Sequence, residues 1–361
     1  MSNLADSAEA AANGRGTPFL PGVLPGTSND VLFDEVVDEP EIEARDYWQG
    51  VWLRLKRDRF ALAGGMFIIL LFFTAFAGAP LAERVLGHGP NEPFLVSGGL
   101  DQDQLPAGPW THVGKLTEDG DIEEQLFVLG SDSTLARDEF LRLLYGAQES
   151  LEVGVGATLL SLFLGTLLGA IAGFFRGWVD TTVSRMVDLT MAFPYLLFVI
   201  TLAATLGTRL NSVTFGFLGE GVVTLVLVFG LLGWFYSARV MRSVALSLRE
   251  KEFVEAARMV GATNSRIVRS HIFPHLVGPL IVLATLNVAA FILAEAGLSF
   301  LGLGIQLPTA SWGSLLADAP QYYTSRPLLM VWPGIALLLT TLAFNLLGDG
   351  LRDAFDPRGS R

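Results

Sequence analysis

Residues Ser247–Pro274 read S-L-R-E-K-E-F-V-E-A-A-R-M-V-G-A-T-N-S-R-I-V-R-S-H-I-F-P. This polar stretch lies between two apolar runs, Gly221–Ala238 and Leu276–Ala294, each near the length of a bilayer span. Read as a helix, it places Phe253, Ala256, Ala257 and Val260 at spacings of three and four, on one face. Glu250, Lys251, Glu252, Glu255 and Arg258 occupy much of the remainder. Gly261 suits a helix stop, because glycine takes a left-handed C′ conformation without a Cβ penalty. Thr263 or Asn264 suits the cap of a second short helix, which Pro274 limits. The stretch predicts two short amphipathic helices joined by a bend and held between membrane helices.

The surroundings are those of a membrane protein. Of 361 residues, 51% are hydrophobic and only 17% charged, against about 25% charged in a soluble domain. Six charge-free runs, Phe60–Ala82, Val153–Phe175, Leu189–Thr208, Gly221–Ala238, Leu276–Ala294 and Leu328–Gly348, approach or exceed the ~20 residues that cross a bilayer core. In lipid every backbone group needs an internal partner, so these runs predict helices. Gly154, Gly156, Gly165, Gly169 and Gly173 predict close packing of the second helix through small faces.

The net charge of −12 comes from two segments outside the spans. In residues 1–45, nine acids face two arginines, which predicts a disordered acidic tail; Phe19, Leu20, Leu24 and Phe33 leave open that part of it docks on a partner. Residues 46–59 follow, where Trp48, Val51, Trp52 and Leu55 share a face ahead of Arg54, Lys56, Arg57 and Arg59; this reads as an interfacial helix, or simply as the inner end of the first span. Segment 83–148 is an acidic insert with short strands expected around Thr111–Leu116 and Glu124–Leu129. Residues 149–350 form a five-helix core, and 351–361 a tail. Basic residues concentrate beside the first span, in the 247–275 loop and at the C-terminus, which places both termini and that loop in the cytoplasm and the insert outside.

The stretch from Glu255-Ala256-Ala257 to Gly261, with Pro274 thirteen residues on, resembles the EAA loop of ABC importer permeases. Further matches narrow the resemblance to the second permease subunit of the dipeptide/oligopeptide/nickel family. They are Gly130-Ser131-Asp132 through Arg137-Asp138, Arg142 and Tyr145-Gly146, with Ala136 where glycine is usual; Gly173 to Asp180; Asp188 with Ala192-Phe193-Pro194; Ala294 to Gly304; Ser311-Trp312-Gly313; and Phe344 to Asp353. The resemblance spans roughly residues 50–357. It implies an all-α membrane protein of six transmembrane helices, with a cytoplasmic coupling loop and an extracytoplasmic insert between helices 1 and 2. It also implies a homologous second permease, two ATP-binding subunits that hold ATP and Mg²⁺, an external binding protein and short-peptide cargo. Nickel chelates and oligosaccharides remain open as cargo. Glu250, Phe253, Glu255, Ala256, Ala257, Val260 and Gly261 become the expected ATPase-coupling residues.

The residues exclude several chemistries. Without cysteine there is no thiolate metal site and no thiol nucleophile. Only Lys56, Lys115 and Lys251 are lysines, and none stands in a P-loop, so ATP is expected on partner subunits and no catalytic residue in this chain. His271 and His275 are spaced i, i+4 but lack a third ligand, so no metal is expected. No feature points to nucleic acid. Glu295, with Asn287 two turns earlier, is either part of a translocation path or gate, or a helix-end carboxylate that reaches outer water or makes a structural bond to the next loop. A secondary transporter would need more charges within the spans. A membrane sensor or scaffold, its insert binding a ligand, is the other class left open.

Overall fold

The computed structural model describes residues 47–94, 99–101, 103–116, 122–133, 135–210 and 221–356. The acidic segment 1–45 and the end of the C-terminal tail lie outside the described residues. The chain enters through α1 (Tyr47–Leu55), which buries Val51 and Leu55 against Ala354 near the C-terminus. Trp48 and Trp52, expected on the same face, stay half-exposed. Asp58 caps α2 (Arg59–Leu86) by accepting from the Phe60 and Ala61 amides. The helix passes through a π turn at Thr74–Gly78 and ends at Gly87, whose φ of +77° is a left-handed stop.

The insert follows. Strands β1 (Thr111–Leu116) and β2 (Ile122–Phe127) pair antiparallel, with Thr111 opposite Phe127 and Leu116 opposite Ile122. The first strand falls where the sequence places it; the second starts two residues earlier than expected. Phe94, Val113, Phe127 and Ala136 form the insert's own apolar centre.

The next helix, α3 (Glu139–Phe175), begins well before the expected start of the core at 149, because Asp138 caps it and accepts from the amides of Phe140 and Leu141. Then come α4 (Gly177–Met191), α5 (Tyr195–Leu210), α6 (Val222–Arg249), α7 (Glu252–Met259), α8 (Asn264–Phe300), α9 (Trp312–Asp318) and α10 (Leu328–Phe355). Among the described residues, α2, α3, α6, α8 and α10 are long and apolar enough to cross a membrane.

The expected third span is not one straight helix. Helices α4 and α5 pass that test only as a pair, and they are bent by 84° at residues 192–194. Pro194 has no amide hydrogen, and its ring pushes Phe193 away from helical geometry. Hydropathy sees a continuous apolar run there; the backbone sees a corner.

The most extensive helix packing among the described residues joins α3 and α6. A Cβ on Gly165, Gly169 or Gly173 would lie 2.8, 2.4 or 2.6 Å from the carbonyl oxygens of Trp234, Ala238 and Arg242 respectively. Glycines four apart thus face carbonyls four apart, and the two backbones approach through that stripe. Gly154 and Gly156 point instead at the side chains of Ile292 and Val226.

Candidate coupling site and a buried polar latch

The opening stretch of sequence folds largely as read, with one change. Helix α7 stops at Gly261, whose φ is +85°, and the Thr263 hydroxyl accepts from the Arg266 amide to start the next helix. That helix does not end before Pro274. It runs on into the span as α8, because the π turn at Val268–Ile272 lets the chain resume helical bonding with proline in its first turn.

The two faces of α7 differ from the expected single face. Val254 is 0% exposed and packs with Ile267, Ile272 and Leu276, and half-buried Ala257 rests on the same cluster. Ala257 therefore faces the bundle, which corrects its grouping with Phe253 and Val260. Phe253 (38% exposed), Ala256, Met259 (84%) and Val260 (89%) face outward, with Glu255 beside them. The Phe253 ring lies 6.3 and 5.4 Å from the His271 and His275 rings, so those histidines frame the base of the helix.

Ion pairs fasten this region to the corner below the broken span. Glu250 pairs with Arg176, the residue between α3 and α4. Arg242 holds Asp180 through Nη2 at 2.8 Å, and Arg239 meets Asp188 at 3.2 Å. Arg249 Nη1 donates to the Phe174 carbonyl at 2.7 Å. Arg176 has φ 54° and ψ −165°, a conformation that glycine usually supplies. The α3–α4 corner, α6 and the start of α7 thus form one connected polar seam.

Within the span, both oxygens of Glu295 are occupied. Ser150 Oγ donates to one at 2.8 Å and Ser299 Oγ to the other at 2.6 Å, and the residue is fully buried. The carboxylate ties α3 to α8. Asn287 Nδ2 points at Ser237 Oγ of α6 at 3.4 Å, two turns away from that pair.

At the opposite end of the bundle, the 130–146 motif builds a buried polar latch. Asp132 Oδ2 takes Arg137 Nη2 at 2.6 Å and lies 2.9 Å from Arg142 Nε; the second contact is an ion pair rather than an aligned hydrogen bond. Arg142 Nη1 reaches Asn91 Oδ1 at 2.8 Å and the Pro308 carbonyl at 3.3 Å, which joins the insert to the loop after α8. Arg326 adds bonds to the Pro106 carbonyl and Asp101, both 2.8 Å. His88 Nε2 meets Asp138 Oδ2 at 2.8 Å with both side chains fully buried. Burial pulls the His88 pKa down, but the hydrogen bond and charge of Asp138, with Gln125 and the Leu86 carbonyl, outweigh it and hold the pKa above its ordinary value. Burial, with the charge of Asp132, pushes the Asp318 carboxyl up against the pull of Arg137 and Arg142.

Residues 165–361 match the family of binding-protein-dependent transport system inner membrane components. The chain belongs to that family. Residues 46–103 also match the N-terminal TM domain of oligopeptide transport permease C. The permease is 36% identical over 320 residues to the dipeptide transport system permease protein DppC of Alkalihalophilus pseudofirmus, covering 89% of this chain and 93% of that one. It is 34% identical to the glutathione transport system permease protein GsiD of Pectobacterium atrosepticum, covering 87% and 92%. An inward-facing structure of the MetNI methionine ABC transporter aligns over 60% of the permease and 97% of its own chain, at TM-score 0.45 and 20% identity.

Sequence reasoning passed over several residues that the permease uses. Val254 fixes α7 to the bundle, and Met259 extends its outer face. Both were legible in principle, since an offset of one residue in the helical phase separates the inner from the outer face. Arg176 and His88 carried no such signal, because their partners lie 74 and 50 residues away.

Proposed function

We propose that this chain is one of two permease subunits of an ATP-driven importer of short peptides. An external binding protein delivers the cargo, and two partner subunits bind ATP and Mg²⁺. Dipeptides and glutathione, named for the relatives, share a small peptide backbone, which supports a peptide of two or three residues as cargo. The observation that carries the energy-coupling reading is the outward face of α7. A short helix anchored underneath by Val254 presents Phe253, Ala256, Met259 and Val260 to whatever docks there. Helix-in-groove recognition uses anchors at this spacing. Both termini and α7 are assigned to the cytoplasm, and the insert to the outer mouth, where it would meet the binding protein.

The test is reconstitution. The chain alone should hydrolyse no ATP above background. Adding the second permease, the ATP-binding subunits and the binding protein should restore hydrolysis that di- or tripeptide stimulates. Robust turnover by the isolated chain, or stimulation by sugars and not peptides, would overturn the reading.

A further inference from the structure

One cavity lies beside the base of α7, where His275 meets the Phe253 ring, and away from the latch. It is a half-open groove of about 880 Å³ between α1, α6, α8 and the end of α10. Its floor is apolar, with Pro279, Val282 and Leu286 of α8 along its length, and its mouth carries Trp48, His275 and Arg352. We infer that this groove binds one anionic phospholipid from the leaflet on the coupling-helix side, its acyl chain along α8 and its phosphate at Arg352.

Three observations support that occupant. The first is length. His275 to Leu286 spans eleven residues, about 16 Å of helix, roughly half of a ~30 Å hydrocarbon core. The groove thus reaches from one membrane boundary to the midplane, the depth of a single leaflet. The second is polarity along that length. Aromatic side chains with a polar edge, Tyr47 and Trp48, stand at the boundary end, where such residues favour the headgroup level. The third is charge. Arg352 lines the mouth in the last turn of α10, and no side chain among the described residues pairs with its guanidinium. Arg54 lies alongside, its Nη1 donating to the Asp356 carbonyl at 2.8 Å. Asp356 shares the mouth. Basic pockets between membrane helices at the headgroup level take anionic lipid heads.

Bound lipid is read without transport, so the outcome is independent of the cargo and ATPase readings. The permease, purified from membranes with its natural subunits and delipidated, is titrated with phosphatidylglycerol or phosphatidylcholine, and retained lipid is counted by native mass spectrometry. Wild type should retain phosphatidylglycerol at least fivefold better than phosphatidylcholine. Arg352→Gln should remove that preference without lowering phosphatidylcholine retention, Arg352→Lys should keep most of it, and Val282→Trp should lower retention of both lipids by filling the floor. Equal retention of the two lipids by wild type would overturn the proposal. So would near-quantitative crosslinking of Val282→Cys to another subunit, which would show that a protein segment fills the groove; the chain has no cysteine of its own to confuse that result.

Discussion

His88 and Asp138 show how a single contact joins two distant parts of the chain. Asp138 already caps α3 through the Phe140 and Leu141 amides; its other oxygen holds His88 at the far end of α2. Because the folded pKa of His88 is raised, its contribution is fully present below the ordinary value of ~6.5 and is lost as pH rises through the raised value. Asp318 is also raised, but its window begins near the ordinary range of a carboxylate, well below that of His88. The permease complex should therefore lose thermal stability as pH rises above about 6.5, and His88→Gln should flatten that slope. Melting curves across that range check it, and an unchanged slope in the variant would count against the ion pair. Little of this was legible in the sequence, since nothing local to His88 announces Asp138. Ala136 is the opposite case. The usual glycine at its place foretold a special backbone, and its φ is +51°. The Cβ is accommodated where Gly99 leaves room, as a Cβ on Gly99 would lie 2.6 Å from that of Ala136.

At the scale of elements, the glycine stripe of α3 was legible and the α4–α5 corner was not. A four-residue spacing of glycines is a local pattern with one physical use in lipid, close backbone approach. The corner depends on what one proline does within an otherwise unbroken apolar run, and hydropathy carries no geometry. The acid insert shows the same divide. Its strands follow from local sequence, while its attachment through Arg142 to Asn91 and Pro308 depends on contacts 51 and 166 residues apart. The stripe makes a sharp expectation. Gly169→Ala places a methyl 2.4 Å from the Ala238 carbonyl, where neither backbone has slack, and should cost about 1–3 kcal/mol by overpacking. Gly334→Ala, in α10 with nothing within 4 Å of the added atom, should be neutral or slightly stabilising. Thermal unfolding of the two variants in detergent compares them directly, and equal losses would count against a close α3–α6 approach.

For the whole molecule, the question is how motion at α7 reaches the spans. Helix α7 is bonded inward by Val254 and Ala257 and continues, after the Gly261 bend, into α8. Its start is pinned through Glu250 to Arg176 and so to the α3–α4 corner. A force on the outer face is thus delivered to one continuous span and to the broken one together. Exposed surface ion pairs contribute only about 0–1 kcal/mol each, so the apolar inner anchor, rather than the charges, must bear that load. This separates two kinds of substitution that the sequence alone would have grouped. Met259→Asp with Val260→Asp changes only side chains that are more than four-fifths exposed. The chain should accumulate in the membrane normally yet retain the ATP-binding subunits about tenfold less well, the loss expected when hydrophobic anchors worth over 1 kcal/mol are removed. Val254→Asp buries an unpaired carboxylate under α7 and should instead lower the amount of folded chain itself. Ala257→Trp belongs with Val254→Asp, because Ala257 faces the bundle. Quantifying membrane-inserted chain and co-purified ATP-binding subunits for the three variants separates the outcomes. Normal subunit retention by the double aspartate variant would mean that α7 is not the surface through which ATP hydrolysis drives this permease.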